Sequence, residues 1–368
     1  MKSIGLTVVT VFCCMVSGPL SAQSATPTNL GQIVTVHDTS ANPFLLPLSG
    51  TEVGDPFPVY WDGVWHLYAL RGDLRTVLHF TSTDLVKWTE HEPAMVGNGI
   101  ATGTVVRHDN KFYMFYTDAG PWKLRGQYHS KFLTAASRLA TDGERRLCWG
   151  FFSKHKTPER NNGGYGGPLG VGRELVFKDD GSIGVRPLQE LVAAIRKPQD
   201  NVSLFNCARE ISGRWEIDAG EQVFRCKDEG GGALLLDLPE KNPDYFFEAD
   251  MLFTSPQAKA DVVVRTSENI DSGYRIAIEP GKKNTAIRQF KPGGGTFNEK
   301  DYAFAKGKPV KLQVFVCGNQ IEAFVDEQIC LSTRVVERSH HMIAIEISGG
   351  RATISKPLLR YFKYKEGK

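Results

Sequence analysis

The chain has 368 residues, 41% of them hydrophobic and 23% charged, with a formal net charge of +3. This composition is that of a globular protein, and its 37 glycines and 19 prolines suit many short strands joined by turns. The near-neutral charge, with no basic tract and no Lys/Arg stripe interleaved with aromatics, argues against a nucleic-acid partner.

Residues 1–22 read as a secretory signal, with Lys2 as the basic start, Ile4–Val16 as the apolar core and Leu20-Ser21-Ala22 as a cleavage site. The apolar run is short for a membrane span and no second one follows, so a secreted or periplasmic protein without a membrane span is expected. Five cysteines remain: Cys148, Cys207, Cys226, Cys317 and Cys330. Their odd number and wide spacing fit neither a disulfide framework nor a zinc site, and no metal or cofactor is expected. Cys148 reads as a small buried hydrophobe. Pairing of Cys207 with Cys226, or of Cys317 with Cys330, stays open.

Residues 23–49 are polar, with Pro27, Pro43 and Pro47, and read as a leader. The stretch Gly54–Trp88 then reads as one antiparallel unit. Pro56–Trp61 and Val64–Leu70 are strand-forming runs separated by Asp62-Gly63, a two-residue hairpin signal. Val77–Thr81 is a third strand, Thr83-Asp84 a turn, and Lys87-Trp88 enters a fourth. A partial echo follows, where TVVRH and KFYMFYT flank Asp109-Asn110. Two such units in tandem suggest blades of a β-propeller. Gln127–Ala136 and Arg145–Phe152 make another strand pair around the turn Thr141-Asp142-Gly143. Thr157–Gly172 is a glycine-rich loop, Leu188–Arg196 a short helix, and 197–206 a linker. Beyond Glu210 the pattern is clean alternation: Val310, Leu312, Val314 and Val316, then Ile343, Ile345 and Ile347. Many strands with no helices between them make a β-sandwich of residues 207–364.

The order GDPF, hairpin, HFTSTDLVKW, ATGTVV and FYMFYT resembles the first two blades of the β-fructosidases, glycoside hydrolase family 32. RRLCWGFF, GGYGGPLGVGREL with DGSIGVRPLQEL, and IEAFVDEQICLSTRV resemble later segments of that family. The resemblance implies an all-β fold, a five-bladed propeller (here incomplete, over residues 50–200) followed by a concanavalin-like sandwich. It implies a carbohydrate partner such as sucrose or fructan and a retaining mechanism, in which two carboxylates stand about 5–5.5 Å apart. Asp55 matches the family's nucleophile, although Gly54 replaces the usual Asn and Phe57-Pro58 the usual Asn-Gly. Outside the resemblance, Asp55 reads as an Asp-Pro turn opening an edge strand. His79 is a candidate substrate-binding residue or a structural histidine. Thr102 and Gly103 match a strand start that lines the family's pocket, or are a tight strand entry. Asp84 and Trp88 read as turn and packing residues.

The family's Arg-Asp-Pro and Glu-Cys motifs, which carry the stabilising Asp and the acid/base Glu, are both absent from this sequence. Repeat lengths of about 40–50 residues per blade leave room for only three or so blades before residue 200. The acid/base is therefore unknown; Asp118, Asp142 and Glu144 are the nearby acids, without the motif context. Two readings stand: a secreted β-fructosidase-like hydrolase using Asp55, or a catalytically degenerate, shortened relative that binds carbohydrate. An incomplete propeller would expose strand edges and invite self-association.

Overall fold

In the computed structural model, residues 32–97, 100–108, 111–118, 139–152, 166–179, 181–197, 203–290, 294–336 and 340–363 are described. The expected signal sequence, the strand expected at Gln127–Ala136 and much of the glycine-rich loop lie outside them. The fold is all-β. No helix of the described residues is long and apolar enough to cross a membrane.

The first sheet holds β1 (Ile33–Asp38), β2 (Val53–Trp61), β3 (Val64–Arg71), β4 (Thr76–Ser82) and β5 (Lys87–Val96), in the order β1-β5-β4-β3-β2. The Asp62-Gly63 hairpin joins β2 to β3 as the sequence predicts, with Asp62 and Gly63 both at positive φ. The unit has five strands, not four. Ile33–Asp38, within the stretch read as leader, pairs with β5 along the sheet's outer edge. The next sheet is the hairpin of β6 (Ile100–His108) and β7 (Lys111–Asp118). A third contains β8 (Ala140–Thr141), β9 (Arg146–Cys148), β10 (Arg173–Phe177) and β11 (Ile183–Pro187), followed by α1 (Gln189–Arg196).

The central strands of the first sheet are buried on both faces. Along β3, Trp65, Leu67 and Ala69 join a core with Leu147, Trp149, Phe151 and Leu169 from the third-sheet region. Tyr68 and Leu70 point the other way, into a cluster with Phe57, Val77 and Val105 of β6. Two-sided burial explains why β4 is buried along its whole length. Backbone bonds at 2.9 Å in both directions between Val53 and Gly167 tie the first sheet to the segment entering β10. Only glycine fits there, because a Cβ on Gly167 would sit 1.6 Å from the Phe152 carbonyl oxygen.

A short α2 (Leu204–Cys207) leads into β12 (Ala208–Ser212), β13 (Trp215–Asp218), β14 (Val223–Cys226), β15 (Gly231–Leu236), β16 (Tyr245–Phe253), β17 (Lys259–Thr266), β18 (Tyr274–Glu279), β19 (Asn284–Gln289) and β20 (Thr296–Asp301). After these come β21 (Val310–Cys317), β22 (Gln320–Val325), β23 (Ile329–Arg334), β24 (Met342–Ser348) and β25 (Ala352–Tyr361). They form two antiparallel seven-stranded sheets, β12-β15-β24-β17-β18-β19-β20 and β13-β14-β25-β16-β21-β22-β23. The alternating residues of β21 and β24 singled out in the sequence share one core with Tyr245, Phe247 and Met251 of β16. Burying that set at about 25 cal/mol per Å² of apolar surface drives the pairing of the two sheets.

Part of the outward face of the second sheet is covered. Phe246, Phe315 and Phe324 join the core of the amino-terminal sheets, beside Leu191 and Ile195 of α1. Charged groups fasten the same contact. Glu322, fully buried, accepts from the Arg173 guanidinium, from the Val171 N–H at 2.6 Å and from the Ser332 hydroxyl at 2.7 Å. Arg196 donates to both oxygens of Glu248, at 2.7 and 2.6 Å. All five described cysteines are free thiols, so neither pairing left open by the sequence is formed.

Candidate functional site

Asp55 lies on β2, the edge of the first sheet opposite β1. Gly54 pairs with Leu70 and Phe57 with Tyr68, so Asp55 and Pro56 together oppose the single residue Ala69. This is a β-bulge, a device that re-aims a side chain and is frequent beside active sites. Two residue types make it here. Pro56 has no N–H to give to the ladder, and Asp55 takes a left-handed backbone, φ +43°, which Asp tolerates better than most side chains. Holding a non-glycine residue there costs on the order of 1–3 kcal/mol, and such strain gathers at functional sites. The Asp55 side chain is half-buried, on a strand that lies near β6, β8 and β9.

A second bulge lies on β6. Ala101 pairs with Thr117 and Gly103 with Tyr116, leaving Thr102 as the extra residue. The positions picked out from the sequence as Asp55 and Thr102-Gly103 are thus irregularities on two neighbouring strands. Asp118, opposite Ile100, closes the same end of the β6–β7 hairpin.

His79 belongs to a different environment. Four rings run across four strands in register: Phe57, Tyr68, His79 and His91, with centroids 5.6, 4.5 and 5.0 Å apart. His66 stacks on His79 at 5.3 Å, and its Nδ1 shares a proton with His79 Nε2 at 3.0 Å. His91 Nε2 and the Thr81 hydroxyl form a 2.7 Å hydrogen bond. His79 is only 6% exposed. Burial, then the neighbouring His66 and His91, push its pKa down to about 3; burial and His91 push that of His66 to about 4. These neutral rings fill the face that packs toward β6. His66 and His91 carried no motif: His66 stands within the apolar run of β3, and His91 lies between Glu90 and Glu92 on β5.

The other acids have structural duties. Asp84 accepts from the backbone of Val86 and Lys87 at 2.9 and 2.7 Å, which outweighs desolvation and lowers its pKa. Asp142 caps its turn by accepting from the Glu144 and Arg145 N–H groups, and Glu144 is exposed. Trp88 is 1% exposed and meets Trp149 edge-on at 5.6 Å. Glu90 accepts from His37 at 2.6 Å, and Glu174 is held by Arg145 and Arg186. Among the described residues no group of three His, Cys, Asp or Glu side chains is arranged to hold a metal ion. One crevice is lined by Trp88, Trp149, Leu188 and Leu191, and a groove by Ser40, Ile195 and Arg360; Asp55 lines neither.

Residues 55–137 match the Glycosyl hydrolases family 32 N-terminal domain, a match that begins at Asp55. No curated protein sequence matches the chain. Similar solved structures include a carbohydrate binding module from Bacillus subtilis, 13% identical, covering 42% of this chain and 95% of that one, with a TM-score of 0.37. They also include a family 32 beta-fructofuranosidase of Bombyx mori, 12% identical over 88% of this chain and 70% of that one, TM-score 0.40. A third is the beta-fructofuranosidase of Schwanniomyces occidentalis complexed with fructosyl-erythritol, 11% identical over 88% and 99%, TM-score 0.45. Likenesses this distant carry no argument about the site.

Proposed function

We propose, from the premise that residues 55–137 resemble the amino-terminal domain of glycoside hydrolase family 32, that this chain is a glycoside hydrolase-like protein of the β-fructosidase type. Its substrate or ligand is sucrose, fructan or a related carbohydrate. The carrying observation is that the family match opens on Asp55, and Asp55 sits half-buried on a bulged, left-handed segment of β2. In a retaining mechanism this carboxylate attacks the anomeric carbon and a second carboxyl group protonates the departing oxygen. Thr102 and Gly103, on the neighbouring bulge, would flank the sugar; His79, buried in the ring ladder, supports packing rather than contact with substrate.

General acid help is worth about 10²–10⁴-fold. With the family's Glu-Cys and Arg-Asp-Pro motifs absent, we expect turnover lower by about that factor than in a complete family member, down to sugar binding alone. In this reading residues 50–200 are a partial propeller, 207–364 a concanavalin-like sandwich, and residues 1–22 direct secretion. Exposed Ile33 and Val36 on the β1 edge favour self-association. The test is release of fructose from sucrose, inulin and levan by the purified protein and by Asp55→Asn. Slow release lost in the variant is expected. Release unchanged by Asp55→Asn, or neither turnover nor binding of any of the three sugars, would sink the reading.

A further inference from the structure

Where α1 ends against the second seven-stranded sheet, a groove is lined by Ser40, Ala194, Ile195, Glu240, Arg360, Tyr361 and Lys363. Arg360 stands on the outward side of β25, opposite Phe246. Its neighbour in this contact, Arg196, has a carboxylate: Glu248 accepts from its Nε and Nη2. Arg360 has none. Its Nε is buried without an acceptor, its Nη1 donates to the Leu359 carbonyl at 2.9 Å, and among the described residues no carboxylate lies within ion-pair distance. Burial pushes its pKa down, yet a guanidinium stays protonated at any ordinary pH. The positive charge is therefore partly desolvated and uncompensated, which is costly unless a counter-charge arrives. The carbonyl end of α1 offers a partial negative charge, less than a full anion supplies.

We propose that this groove binds one small oxyanion, a phosphate, sulfate or carboxylate group, free or carried on a sugar, with Arg360 as its principal ligand. The fork of N–H donors on a guanidinium suits the paired oxygens of such a group. The nearby acids set a limit on affinity. Glu240 is exposed on the groove's rim, and Asp38 accepts from the Ser40 hydroxyl at 2.5 Å, so a bound anion meets some repulsion. Dissociation constants on the order of millimolar follow.

The inference is independent of Asp55 and its test does not measure hydrolysis. The full chain is titrated calorimetrically with inorganic phosphate, sulfate and a hexose phosphate, at ionic strength held constant with sodium chloride. Saturable binding is expected, weakened at least about tenfold by Arg360→Gln, since a hydrogen bond to a charged group is worth about that much. Should that variant fold poorly, Glu240→Gln reads the same site from the other side, and should bind phosphate a few-fold more tightly. A preference for the hexose phosphate over inorganic phosphate marks a sugar-borne anion; equal affinity marks the free ion. Binding unchanged in Arg360→Gln, or no saturable binding in either the wild type or Glu240→Gln, would overturn the proposal.

Discussion

The two halves of this molecule fill their interiors by different means. The carboxy-terminal sheets enclose a single core of aliphatic and aromatic residues, among them Val262, Ile276, Leu312, Val314 and Ile345, all fully buried. The first amino-terminal sheet is covered on both faces, and the face toward β6 is filled by Tyr68, His66, His79 and His91 together with apolar residues. Aliphatic packing keeps its worth at any pH. Packing by buried imidazoles lasts only while the rings stay neutral. The two halves should therefore respond differently to acid.

The largest effect follows from that contrast. In the unfolded chain a histidine titrates near 6.5, whereas burial and mutual repulsion hold His66 near 4 and His79 near 3. Below pH 6.5 the unfolded chain binds more protons than the folded one, so stability is full above 6.5 and falls as pH drops toward 4 and 3. Two such groups give a loss on the order of 5 kcal/mol between pH 6.5 and 4.5. Urea unfolding across that range checks it, and replacing His66 and His79 together by Gln and Phe should flatten the curve. A fragment of residues 203–363 keeps only His340 and His341, of which burial lowers the pKa of His341. It should show a cooperative transition with a shallower pH slope; an equal slope would erase the contrast.

The seam between the halves comes next. Glu322→Ala would leave the Arg173 guanidinium buried without its carboxylate, and should cost about 3–5 kcal/mol, read as a lowered Tm. Replacing Arg173 by Met and Glu322 by Leu together should recover most of the loss. The same fragment of residues 203–363 should self-associate, because Phe246, Phe315 and Phe324 would be bared; sedimentation would show it. A monomeric fragment would mean that these phenylalanines do not hold the halves together.

The smallest effect belongs to Asp55. Asp55→Gly should raise stability by roughly 0.5–1 kcal/mol, because glycine adopts positive φ without the side chain's penalty. It should at the same time remove whatever hydrolysis the protein has. Thermal unfolding beside the fructose-release assay reads both outcomes. A loss of stability would show that the Asp55 carboxylate secures the bulge instead of being held there against strain.

Much of the fold was legible because local pattern and burial agree. Asp62-Gly63 makes its hairpin, the short helix expected at Leu188–Arg196 forms over Gln189–Arg196, and the alternating residues of β21 and β24 all face one core. What stayed hidden depends on partners far along the chain. IVTVHD at Ile33–Asp38 has strand-forming residues, but nearby prolines masked them, and its partner is β5, about fifty residues later. The second apolar face of β21, carrying Phe315 and Cys317, could not be told from a solvent face until the amino-terminal sheets were seen against it. At the candidate site, GDPF pointed to Asp55, and the bulge can be rationalised from an Asp before a Pro. The ring ladder and the Arg360 groove depend on register between strands, which a linear pattern does not carry.

The position of β25 bears on how the chain is made. In the second seven-stranded sheet it lies between β14 and β16, although it follows them by about 100 residues or more. During synthesis both earlier strands must wait with an unpaired edge until residue 361 has left the ribosome. At about 5–20 residues per second, that wait is on the order of 5–30 s. Throughout it the edge of β16 that β25 will cover stays open, so the nascent carboxy-terminal half is a natural client for a chaperone that shields open strands.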